Sequence, residues 1–337
     1  MWLQGAWLGV VGMLVLACGK SQSGRVLVFV SNEDSGDISV IDAQSRAVVR
    51  SISVGKRPRG LRVSPDGQSL FVALSGSVKA RPGAPRDDRD DDADGIGVID
   101  IRRGELVRVL PAGRDPESFD VTPDGKTLYV SNEETAEVSI VDVASGHVRG
   151  TVAVGAEPEG VSVRPDGRFV YVTSEASNEI DVIATGAERL VARIPAASRP
   201  RAIAFAKDRG FATAENSGVV HVVDLEKNVP LGAVKAGEGG ARPMGIAVSA
   251  DGERAYVGNG RHGSVGVIDL RAQRLDRTID AVGARAWGVA LTPDGKHLYV
   301  AAGPDVAVID TATSGIVARI PVGTGPWGVA VATVPKS

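Results

Sequence analysis

Along most of the chain, apolar and polar residues alternate at period 2 in short runs, and each run ends in turn chemistry. From Gly160, VSVRPDG reads as a strand entering a turn, FVYVTS as a second strand, EIDVIA as a third and LVARIPA as a fourth. Pro165-Asp166-Gly167 suits a tight turn, because proline presets φ and glycine permits φ > 0. No window shows the i, i+3, i+4, i+7 spacing of an amphipathic helix, which excludes a helical solenoid. The unit recurs. Its anchors are Pro58-Arg59-Gly60, Pro116-Glu117-Ser118, Pro158-Glu159-Gly160, Pro200-Arg201-Ala202, Pro243-Met244-Gly245, Ala286-Trp287-Gly288 and Pro326-Trp327-Gly328, at intervals of 58, 42, 42, 43, 43 and 40 residues.

Four short strands repeated every forty-odd residues describe a propeller blade. The two ends of the chain complement each other. VLVFVSN (26–32), DISVID and VVRSISV match second, third and fourth strands with no first strand before them, and GVAVAT (328–333) is a first strand with nothing after it. The pattern predicts an all-β, seven-bladed β-propeller over 25–333, four strands per blade, closed by one C-terminal plus three N-terminal strands. Closure hides the strand edges that an open ring would expose.

Composition narrows the classes. With 43% hydrophobic residues the chain can fill a core, so wholesale disorder is excluded. With 38 basic against 41 acidic residues and no long basic run, nucleic acid is not an expected partner. One cysteine rules out an internal disulfide framework, a cysteine-based zinc site or an iron–sulfur cluster. That residue, Cys18, ends a segment (1–18) with no Asp, Glu, Lys or Arg, which reads as an export signal followed by a linker over 19–24. Val15-Leu16-Ala17-Cys18 resembles a bacterial lipobox, whose cysteine is acylated. The segment ahead of it lacks Lys or Arg, and a plainly cleaved signal is the alternative.

Tyr129-Val130-Ser131-Asn132, the Pro-Asp-Gly turns and Val-x-Val-Ile-Asp resemble YVTN-type β-propeller repeats, over 25–332. Asn32-Glu33, Val54-Gly55-Lys56-Arg57-Pro58-Arg59-Gly60, Pro116-Glu117, Val154-Gly155-Ala156-Glu157-Pro158-Glu159-Gly160 and Arg199-Pro200-Arg201 are similar to exported propellers associated with PQQ-dependent catabolism of alcohols. This resemblance implies a periplasmic or surface location beside a quinoprotein dehydrogenase or another envelope protein; together with the lipobox-like end at Cys18 it gives a periplasmic or outer-membrane lipoprotein as the expectation. It brings no catalytic residue with it. A monomer is expected.

The middle residues of the anchors, Arg59, Glu117, Glu159, Arg201, Met244, Trp287 and Trp327, should ring the mouth of the central channel, on the face whose loops are free to vary. One arc is charged, and the other is aromatic and thioether. Trp287 and Trp327 are the only tryptophans after the leader, and they suit a planar or sugar-like ligand. Packing of the rim is the other reading. Glu33, Glu133, Glu175 and Glu215 fall at the ends of second strands, and Arg57, Arg199, Arg242, Arg261 and Arg285 lie on the same face. Simple pairing at the surface would contribute roughly 0–1 kcal/mol each; an anion clamp is the alternative.

The first interval is long because of an insertion over 75–95. There, Asp90-x-Asp92-x-Asp94-Gly95 fits the first half of a calcium loop, but the twelfth position is Ile101 rather than glutamate. A solvated acidic loop balanced by Arg81, Arg86 and Arg89 fits better, and no other cofactor is indicated. Gly258-Asn259-Gly260-Arg261-His262-Gly263 matches a dinucleotide fingerprint only formally, since a strand rather than a helix follows. His147, His221, His262 and His297 are too scattered for a multi-histidine metal centre. The chain therefore reads as a non-catalytic binding propeller. The alternative is a lactonase acting on a sugar-acid lactone, with Glu117 or Glu159 as base and Arg59 and Arg201 as clamp.

Overall fold

In the computed structural model, which describes residues 24–76 and 91–335, seven four-stranded antiparallel sheets form a closed β-propeller. Blade 1 runs over Pro58–Leu110, blade 2 over Pro116–Ala153, blade 3 over Pro158–Pro195, blade 4 over Pro200–Lys235, blade 5 over Pro243–Ile279 and blade 6 over Ala286–Pro321. Blade 7 joins Pro326–Val334 to the three N-terminal strands Arg25–Asn32, Asp37–Asp42 and Ala47–Ser53. The closing register pairs Val28 with Val331 and Phe29 with Ala330. The expected closure, one strand from one terminus and three from the other, is therefore the observed one.

The core lies between blades rather than within them. The middle residue of each second strand is aromatic: Phe29, Phe71, Tyr129, Tyr171, Phe211, Tyr256 and Tyr299, all at most 4% exposed. Each faces a neighbouring blade. Tyr129 of blade 2 packs on Val161, Val163, Val170 and Val172 of blade 3, and Phe71 meets Phe119 edge-on at 6.4 Å. The outermost strands lose the alternation because both their faces see water, which leaves Val49, Val107 and Leu231 exposed.

The polar half of the repeated Tyr-Val-Ser-Asn phrase has a physical role too. Its third residue donates a hydroxyl hydrogen bond to the next blade's anchor carbonyl: Ser31 to Arg59 at 2.6 Å, Ser131 to Glu159 at 3.1 Å, Thr173 to Arg201 at 2.9 Å and Thr213 to Met244 at 2.6 Å. The fourth, as Asn32 and Asn132, donates across its own hairpin to Ser39 and Ser139. The anchor glycine meets the same carbonyl row. A Cβ on Gly160 would lie 2.3 Å from the Arg201 carbonyl oxygen, and one on Gly288 2.3 Å from that of Trp327. Blades can therefore stack this closely only where the anchor's third residue is small.

The formal dinucleotide fingerprint is a 3₁₀ turn over Gly260–His262 leading into the strand Ser264–Asp269. His262 contacts Ser264 at 3.0 Å, and His297 contacts Arg46 at 3.2 Å across blades 6 and 7.

Candidate functional site at the channel mouth

The anchors carry a β-bulge. In blade 1, Pro58 pairs with Leu74 and the next pair is Leu61 with Val72, so Arg59 and Gly60 together oppose Ala73 alone. The same shift recurs at the anchors of blades 2 to 6, and a related one closes blade 7. A bulge re-aims the side chain at that point. The residue before the anchor proline, or before Ala286, adds to this. Arg57, Asp115, Glu157, Arg199 and Arg285 all hold positive φ, between 41° and 65°. At these five anchors the local backbone thus presents two side chains, one on each side of the proline or alanine, to one rim.

All seven anchor residues begin innermost strands, as the spacing implied. Glu159, Arg201, Met244, Trp287 and Trp327 line one central cavity of about 140 Å³. That is smaller than the ~300–1,000 Å³ of a typical ligand pocket, so a ligand would sit on the mouth rather than thread the channel.

The charged arc is organised by pairs between neighbouring blades. Glu33, at the end of the second strand of blade 7, receives Arg57 at 3.1 Å and Arg59 at 3.4 Å from blade 1, and Arg285 stands 3.7 Å away. Arg59 also pairs with Glu117. Blade 4 repeats the device: Arg201 pairs with Glu175 and with Glu159 at 3.3 Å, Arg199 with Glu175, and Arg242 with Glu215 at 3.2 Å. These are not surface pairs. Glu33, Glu117, Glu175 and Glu215 are 3–7% exposed. The Arg59 and Arg201 side chains are 10% and 12% exposed. The sequence-based expectation of weak surface pairing is corrected here: the pairs join neighbouring blades and lie largely out of water. Both arginines named as anion clamps are therefore already engaged by carboxylates.

Between blades 1 and 3 the charges do not alternate. The carboxylates of Asp115, Glu117 and Glu133 approach within 4.8 Å of one another, and Ser75 donates to Asp115. Burial, with Asp115 and Glu157 beside it, pushes the Glu133 carboxyl above its ordinary range. Burial also raises that of Glu159, an effect Arg201 opposes. Asp115 and Glu157 were missed as site residues in the sequence. They occupy the same repeat position as Arg57, Arg199 and Arg285, so aligning the repeats one residue before each anchor would have found them.

Opposite this acidic arc, Trp287 and Trp327 meet edge-on at 6.1 Å, and the Arg285 guanidinium lies 4.1 Å above the Trp287 ring. Met244 is buried beside them, and Gly260 leaves room beneath: a Cβ there would lie 3.0 Å from Met244 Cγ and 3.3 Å from Trp287 Nε1. Both tryptophans are partly exposed.

Of the calcium-loop residues, Asp90 lies outside the described residues, as does Cys18. Asp92 is exposed on a short 3₁₀ turn, Asp91–Ala93. Asp94 instead clasps the insertion to blade 2, accepting the Gly76 N–H at 2.7 Å and the Asp115 N–H at 3.1 Å. Both of its oxygens thus serve the backbone, so it is poorly placed to share a cation with Asp92.

Comparison with known proteins adds a family and a fold. The model of the choice-of-anchor I domain matches residues 11–186, which include blades 1 and 2 and most of blade 3. Antigen Lp49 of Leptospira interrogans is 29% identical over 140 residues, covering 32% of this chain. The match spans only about a third, 31%, of that relative's length. A Bacteroides fragilis protein provisionally named a 6-phosphogluconolactonase superposes with a TM-score of 0.75 at 15% identity, covering 93% of this chain and 99% of that one. A chain of Kuenenia stuttgartiensis hydrazine synthase superposes with a TM-score of 0.67 at 21% identity, covering 82% and 95%. At these identities the structural likenesses establish the propeller fold.

Proposed function

We propose, from the premise that the chain belongs to the choice-of-anchor I domain family, that it is a secreted or surface-held, non-catalytic propeller binding a small ligand or a partner segment at its channel mouth. The observation that carries this is the tryptophan pair. Large aromatic faces remain partly exposed beside a cavity while most charges around them are locked into pairs. Such a rim offers apolar area and shape, not a reactive group. The relative named as an antigen supports a surface location. So does the apolar leader ending in Cys18, which in this reading is the lipid anchor. Cys18→Ser should then move the protein from the membrane to the soluble fraction without changing its melting temperature. Wild-type protein found soluble and unacylated by mass spectrometry rejects the anchor.

The resemblance to PQQ-associated propellers extends the reading to a site beside a quinoprotein dehydrogenase. Tryptophan emission tests the mouth directly, because export leaves only Trp287 and Trp327. Titration with PQQ should quench emission saturably, and a sugar-acid lactone should shift it. Trp327→Ala should weaken binding by about 1–3 kcal/mol, the contribution of burying one large side chain. Flat titrations, with Trp327→Ala lowering only the melting temperature, would make the tryptophans rim packing.

One observation favours a lactonase as second reading. Glu159 lines the cavity, where burial raises its carboxyl against the pull of Arg201, and a carboxylate facing the cavity is the group a general base requires. Hydrolysis of a sugar-acid lactone that Glu159→Gln abolishes would replace the binding reading.

A further inference from the structure

On the face opposite the mouth, the first-to-second and third-to-fourth strand turns of adjacent blades meet over the repeated aromatic residue. Between blades 3 and 4 this junction is plugged. The Arg164 guanidinium lies 4.6 Å over the Phe169 ring and donates to the Leu225 carbonyl at 3.2 Å. The Tyr171 hydroxyl donates to Asn228 at 2.7 Å.

Between blades 2 and 3 each plugging position carries a different residue. Thr122 replaces Arg164 before the Pro-Asp-Gly turn and Glu188 replaces Asn228, while Gly186, where the next blade has Glu226, adds no side chain. Glu188 does not turn to the tyrosine; Arg149 draws it away at 2.8 Å. Nothing lies within 4 Å of where a Gly186 Cβ would be. What remains is a cleft of about 420 Å³ whose floor includes Tyr129. That residue is 1% exposed, and its hydroxyl makes no hydrogen bond among the described residues. Burial and Glu188 push the phenol up to about 12, so it stays a hydrogen-bond donor at physiological pH.

The geometry points to this cleft as a second binding site, taking a neutral polyhydroxylated ligand the size of a monosaccharide. Its volume falls in the range that encloses such a molecule. Its charges are largely met: Arg149 pairs with Glu188, Asp166 with Arg164 and Arg168, and Asp124 accepts the Thr122 hydroxyl at 2.6 Å and the Lys126 N–H at 3.1 Å. With three carboxylates against one arginine in the lining, a net anion gains nothing there. What the walls offer is a mixture of donors and acceptors. Tyr129 and the remaining Arg149 N–H groups donate, and Asp124 and Glu188 oxygens accept. Vicinal hydroxyls, each both donor and acceptor, match that mixture.

The test is saturation-transfer NMR with D-glucose, D-galactose and myo-inositol, on the parent and three variants. At least one of the three should give saturable signals. Tyr129→Phe should weaken it roughly 2- to 10-fold, the loss of one hydrogen bond. Thr122→Arg, which installs the plug of the neighbouring junction, should abolish it, whereas Trp327→Ala at the mouth should leave it intact. Absence of signal from all three compounds overturns the proposal. Binding that survives both Tyr129→Phe and Thr122→Arg in folded protein, or that Trp327→Ala removes, also overturns it. This site and the mouth can fail independently, since sugar binding here should leave tryptophan emission unchanged.

Discussion

Deleting residues 326–337 should abolish the cooperative thermal transition, giving aggregation or a broad melt rather than a small loss of stability. Pro326–Val334 is the innermost strand of blade 7 and pairs along most of the N-terminal strand Arg25–Asn32. Without it, the backbone edge of that strand opens into the channel, where an unpaired edge recruits other chains. Val28 and Val30, both fully buried, lose cover from Val329 and Val331. The strand is also the wall on which the first strands of blades 6 and 1 both pack. In an open repeat array a terminal unit can be lost at the cost of one interface. Here the last strand closes the circle, and its loss opens two interfaces and the only covalently discontinuous blade. Circular dichroism melts and size-exclusion chromatography read the outcome. A truncated protein that stays monomeric and melts within a few degrees of the parent contradicts this account of closure.

Arg59→Ala should be the most damaging single substitution at the mouth. Arg59 is the cation shared by Glu33 and Glu117, whose side chains are 3% and 4% exposed. Removing one member of a buried ionic group leaves uncompensated charge in a poorly solvated place, which costs about 3–5 kcal/mol. In a domain of this size that corresponds to a fall in melting temperature on the order of 10 °C. Arg59→Lys should rescue only part of it, because a compact ammonium cannot offer the planar fork that reaches two carboxylates. Arg25→Ala is the control. Its pair with Asp42 at 2.5 Å is 47% exposed on the arginine side, and its loss should cost no more than about 1 kcal/mol. Equal effects of the two substitutions, measured by urea denaturation, would mean that the ring behaves as ordinary surface charge.

The tryptophans and the acidic arc show where sequence reading reached its limit. Trp287 and Trp327 fall at one repeat position, and alignment alone places them on one rim. Their edge-on contact and the guanidinium stacked above Trp287 depend on how sharply blades 5, 6 and 7 turn around the axis. No repeat encodes that angle. Arg59 and Arg201 read as available clamps because no carboxylate lies near either of them in the chain. The carboxylates that occupy them, Glu33 and Glu175, lie 26 residues earlier, on the preceding blade.

The number of blades, the strand order, the composite seventh blade and the ring of anchor residues are all legible in the chain before it folds. These follow from period-2 alternation, turn residues and a fixed repeat length, all of which are local. Which charges meet, that they meet out of water, and that the junction between blades 2 and 3 stays open while the next is plugged become visible only in the folded ring. Those outcomes arise at contacts between blades. There the curvature of the ring and positive-φ residues such as Asp115 and Glu157 aim side chains at partners on another strand. Whether such a side chain is buried, paired or left facing a cleft is set by the blade that stacks against it.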